Sequence, residues 1–146
     1  MGTRSLTVFQ DVEYPPPSPA VPLPAGIMRE IVVMYRQYDG YPGGHGKELL
    51  EFLKPFKLVN GYSPTDDLHT TANGMGCLTA QVVAHFKKEC GEFYLEPAGT
   101  RDCGEEYIYY VYPDKEGDIC VQCENVHNEI VFKTKVKDAD PDRWGK

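Results

Sequence analysis

Six prolines fall between residues 12 and 26, in "VEYPPPSPAVPLPAG", and they constrain this chain more than any other feature. Proline has a fixed φ and no amide hydrogen, so the stretch can be neither a helix nor a central strand. It is expected as a stiff, partly polyproline-like loop joining strands on either side, "RSLTVFQ" and "MREIVVMYRQY". Residues 31–35 are continuously apolar, as in a central strand covered on both faces.

After that strand the period changes. "KELLEFL" places Leu49, Leu50 and Leu53 on one stripe of a short helix, which Pro55 ends. Residues 56–73 read as irregular. "NGMGCLTAQVVAHFKKECG" reads as the main helix, with Met75, Leu78, Val82 and Phe86 on its buried face and Gly91 as its stop. The remainder is β: "GEFYLEP", "EEYIYYVYP", "ICVQCEN" and "NEIVFKTKV", with "DKEGD" as a hairpin turn. This order predicts an α+β fold, a mostly antiparallel sheet with two helices packed on one face. Its 146 residues suit a single domain, 1–146, with the Pro-rich loop at 12–26.

Charge narrows the partners. The formal net charge is −7. The short "FKTKVK" is the sole basic run, so no nucleic-acid polymer is expected as partner. No apolar run approaches the roughly 20 residues of a membrane span. "MGTRSLTVFQ" lacks a signal-peptide core, so a cytoplasmic location is expected. Five cysteines, an odd number, suggest free thiols. "CVQC" lies in a strand, where positions three apart face opposite ways, so it is a poor metal clip. Exposed strand edges make a homodimer reasonable.

The candidate site is "YRQYDGYPGGHGKEL". A glycine-rich loop that opens a helix can offer backbone N–H groups to an anion. Arg36 can grip phosphate or carboxylate. Tyr38 and Tyr41 can stack on a base, Asp39 can accept from a ribose hydroxyl, and His45 and Lys47 add donors. Gly40, Gly43 and Gly44 would let a ligand approach the backbone. "TTANGMGC", with Asn73, repeats the arrangement, and "PAGTRD" adds Thr100 and Arg101. Shape alone could equally explain the glycines. Neither a P-loop nor a dinucleotide fingerprint is present. No paired histidines mark a metal site, so no metal, cofactor or catalytic residue is assigned. The best enzymatic alternative is a metal-independent phosphodiesterase with His45 as base and Asp39 orienting it.

The segments "MGTRS", "YRQYDGYPGGHGKEL", "ANGMGCLTAQVVAHFK" and "FYLEPAGTRDCGEEYIY" resemble a family of small phage and prophage proteins. The likeness covers most of residues 1–11 and 28–112. The resemblance implies a counter-defence setting in the host cytoplasm. There the protein would bind and sequester a small phosphorylated nucleotide made by host immunity, either a cyclic ADP-ribose type signal or a cyclic dinucleotide. A third class is a protein inhibitor acting by surface contact.

Overall fold

The computed structural model describes residues 2–13 and 26–142. The expected Pro-rich connection and Trp144 lie outside the described residues, apart from the ends of the former. Eight strands and two helices follow in order: β1 (Ser5–Glu13), β2 (Ile27–Arg36), α1 (Lys47–Leu53), β3 (Lys57–Val59), β4 (Thr71–Asn73), α2 (Gly74–Phe86), β5 (Phe93–Glu96), β6 (Tyr107–Pro113), β7 (Ile119–Asn125) and β8 (Ile130–Lys135). Six strands form one sheet in the order β5-β2-β1-β6-β7-β8. Only the central β1–β6 pair in it is parallel. The fold is α+β and mostly antiparallel, as the pattern predicts. Among the described residues no helix is long and apolar enough to cross a membrane.

Alternation along each strand assigns the two faces. Phe9, Met34, Tyr109, Val111, Val121, Cys123 and Phe132 point to the side that α1 and α2 cover. There Leu49, Leu50 and Leu53 of α1, and Met75, Leu78, Val82 and Phe86 of α2, complete the main core. These are the helix positions that the apolar spacing selects.

The other face is closed differently. The chain must pass from β5, at one edge, across β2 and β1 to reach β6. This crossover, residues 97–106, takes the helix-free side and shields Leu6, Val8 and Val33, with Cys103 and Tyr110 packed against them. Arg101 pins it by donating to both oxygens of Glu30 on β2, at 3.3 and 2.7 Å. Gly99 N–H adds a bond to the same carboxylate at 2.8 Å. Gly104 has φ +78°, and a Cβ there would lie 2.6 Å from Arg4 Nη1. The parallel pair is therefore a product of this crossover.

Three local departures have physical causes. Residues 56–73 are not wholly irregular, since β3 and β4 pair in parallel over three residues each. Strands that short leave no periodic signal. β8 carries a bulge: Phe132 opposes Cys123, but Ile130 opposes Glu124, which leaves Val131 unpaired. The bulge turns Ile130 away from the face that holds Phe132, and Ile130 is exposed. At the other edge, Lys87 Nζ donates to the carbonyls of Gly91 and Phe93 at the entry to β5. Bulges and lysines discourage strand addition, so the edges give no support to a homodimer built through them.

Candidate functional site

The glycine loop folds inward. Pro42–Gly46 makes one π-helical turn leading straight into α1. Its N–H groups are used within the loop: Gly44 N–H bonds Tyr41 O at 2.9 Å, and His45 N–H bonds Asp39 O at 2.8 Å. Gly40 N–H bonds Thr3 O at 2.8 Å. The Gly40, Gly44 and His45 N–H groups are thus committed to the fold and not offered to an anion. Packing explains the glycines. A Cβ on Gly40 would sit 2.6 Å from Ser5 Cβ, and one on Gly44 would sit 2.5 Å from Asp39 O. A Cβ on Gly46 would meet the Tyr109 ring at 3.2 Å. Both distances under 3 Å involve groups that cannot swing aside. The loop is tight so that it can lie on β1 and drive His45 into the core.

His45 has no exposure at all. Its ring lies 5.0 Å from Tyr109, 5.1 Å from Phe86 and 6.4 Å from Phe93, centroid to centroid. Arg36 Nη1, 3.2 Å from Nδ1, can only donate, so Nδ1 accepts. The remaining proton is on Nε2, which donates to Thr7 Oγ1 at 2.7 Å. Burial, and then the neighbouring Arg36 charge, lower the His45 pKa to about 3. The imidazole stays neutral and both nitrogens are occupied. It lacks the access that a general base or ligand donor requires, which removes the physical basis for the His45 phosphodiesterase and for His45 as a ligand contact.

Arg36 is equally committed. Only 5% exposed, it donates through Nε and Nη2 to Glu92 Oε2 at 3.2 and 2.9 Å. Nη1 adds Glu48 Oε1 at 3.1 Å, and the guanidinium lies 4.8 Å above the Phe93 ring. Tyr38 OH donates to the other Glu92 oxygen at 3.1 Å. Tyr109 OH closes the cluster on Gly40 O at 2.7 Å, and burial raises the pKa of that phenol. Glu92, Glu48, Thr7 and Tyr109 are the residues that sequence reasoning misses. Arg36 ending an apolar strand on the core-facing side was the one signal that acids must come to it.

The predicted residues do not converge on one place. Arg36, Tyr38, Asp39, Gly40, Gly43, Gly44 and His45 belong to this cluster and its loop. Lys47 pairs with Asp142 at 3.1 Å, and Asn73 Oδ1 accepts from Gly61 N–H at 2.7 Å near the start of α2. Thr100 and Arg101 sit on the opposite face of the sheet, where Thr100 Oγ1 donates to Pro97 O at 2.7 Å. Tyr41 is exposed and borders a shallow cleft with Thr3 and Tyr107.

Another concave surface lies on that opposite face. A cleft of about 400 Å3 there is lined by Arg101, Asp102, Glu106, Tyr110, Val126 and Asn128, among others. The Arg101 guanidinium lies 5.9 Å from the Tyr110 ring centre. Its bond to Glu30 lowers that carboxyl's pKa and raises its own, so much of its charge is answered internally. The side chains of Asp102, Glu106 and Asn128 make no hydrogen bond or ion pair among the described residues. Elsewhere, Asp114, Glu116 and Asp118 gather in the β6–β7 turn, but Lys135 Nζ lies 3.5, 2.6 and 3.1 Å from their carboxylates, which makes it their counter-ion. No protein-family model matches the chain, and no curated protein or solved structure matches it.

Arg36→Ala is expected to destabilise the ligand-free protein by about 3 kcal/mol in urea denaturation. It strands the Glu92 and Glu48 charges, although both retain some water access. A change under about 0.5 kcal/mol would contradict the structural role. Stability should also fall with acid. The lowered folded pKa of His45 means that the unfolded chain binds the extra proton, so its contribution is complete above pH 6.5 and is lost as pH falls toward about 3. Between pH 6 and 5 the slope should approach ~1.4 kcal/mol per pH unit. His45→Gln should lose most of that slope, whereas His85→Gln, whose own lowered pKa adds a smaller part, should keep most of it.

Proposed function

We propose that this protein works by reversible, non-covalent capture of a small nucleotide-like ligand, sequestering it without turnover. The ligand lies in the cleft beside Tyr110, not on the glycine loop. The carrying observation is that an aromatic ring, a guanidinium and three uncommitted polar side chains, Asp102, Glu106 and Asn128, line one cleft. A base can stack on Tyr110, an interaction worth ~1–3 kcal/mol. Its amino groups and the ribose hydroxyls can donate to the carboxylates, while Asn128 can serve either edge.

Local charge changes which part of the ligand matters. With Arg101 paired to Glu30 and acids in the wall, phosphate gains little here, so base and ribose supply the affinity and phosphate stays at the mouth. The resemblance to small phage proteins supports the setting, a counter-defence protein in the host cytoplasm holding a defence signal. A second reading, inhibition by surface contact, is favoured by α2. From Gly74 to Phe86 it has no charged residue, and Gly76, Cys77, Ala80 and Ala84 face outward.

Calorimetry should find adenosine and adenosine monophosphate binding within about tenfold of each other. Tyr110→Ala should weaken both by roughly 5- to 150-fold. Chromatography after incubation should return the ligand unchanged. Folded protein that binds no nucleoside, cyclic nucleotide or ADP-ribose compound contradicts the capture reading, and product formation contradicts the absence of turnover.

A further inference from the structure

The Tyr110 cleft has a neighbour. A second cleft of about 330 Å3 is lined by Tyr110 again, with Met28, Tyr112, Gln122, Glu124 and Lys133. Tyr110 therefore stands between the two. Tyr112 is two residues further along β6, so it shares the face, about 7 Å away between Cα atoms. Lys133 opposes Gln122 across the β7–β8 ladder and makes no ion pair among the described residues. Gln122 Nε2 donates to Glu124 Oε2 at 2.8 Å, which leaves its carbonyl oxygen for a ligand.

We propose that the two clefts form one elongated site for a two-base ligand, a dinucleotide with one base on each side of Tyr110. This rests on the capture reading above and names the ligand class for the same site. Two flat rings packed against opposite sides of a tyrosine are about 7 Å apart, twice the van der Waals separation. One phosphodiester link spans that distance. The second base lies against Tyr112 and Met28, and its edge meets Gln122 and Glu124. Arg101 in the first cleft is paired to Glu30, whereas Lys133 makes no ion pair among the described residues, so the phosphate is directed toward the β8 side. A one-base ligand of the ADP-ribose type fills only half of the site.

The test compares adenosine monophosphate with the linear dinucleotide ApA by calorimetry. Wild type should bind ApA roughly tenfold or more tightly than the mononucleotide. Tyr112→Leu should bring the ratio near one while leaving mononucleotide affinity unchanged. Lys133→Gln should weaken ApA alone and flatten its salt dependence. Equal wild-type affinities, or a ratio that Tyr112→Leu does not change, would overturn the two-base site while the capture reading stands. If neither compound binds to folded protein, both fall together.

Discussion

The neutral imidazole of His45 between Arg36 and Thr7 holds the helix-covered half of the molecule in register. Through it β1 is joined to the glycine loop, and through Arg36 the loop is joined to β2, to α1 at Glu48 and to the entry of β5 at Glu92. Three neighbouring stretches of chain and the distant Glu92 meet at one guanidinium. A buried guanidinium is costly unless nearly every donor finds an acceptor, and a buried imidazole is tolerated only when uncharged. Both conditions are satisfied together, because the Arg36 charge discourages protonation of the ring that accepts its hydrogen. Tyr109, bonded to Gly40 O, seals the loop from the sheet side.

This arrangement divides the molecule. On the helix-covered face, polar chemistry is consumed in holding the fold together. On the other face, the 97–106 crossover is what covers the sheet among the described residues, and it leaves β6 and β7 flanked by open clefts. The ion pair between Arg101 and Glu30 fixes the rim of that surface. Binding on this side needs no opening of the core, which is why the proposed ligand role is assigned there and not to the glycine loop.

Much of the architecture was legible from periodicity. The period-2 strands, the Leu49, Leu50 and Leu53 stripe and the buried positions of α2 follow from local pattern. What local pattern cannot carry is distance in space. The same glycines suit an anion nest or a close-packed turn, and the choice depends on Ser5 and Tyr109, far away in the chain. Arg36 in a strand announces a charge but not whether its partner is a ligand or Glu92. Tyr110 was hidden among ordinary strand tyrosines, because its position between two clefts arises from the crossover and from the parallel pairing of β1 with β6.

Nuclear magnetic resonance of the His45 ring tests the central claim most directly. With imidazole nitrogens labelled, the ring is expected to be neutral with its proton on Nε2, and not to titrate from pH 8 down to the onset of acid unfolding. A ring that titrates near pH 6.5, or one whose proton resides on Nδ1, would contradict the buried Arg36–His45–Thr7 network and return the glycine loop to contention as a ligand site.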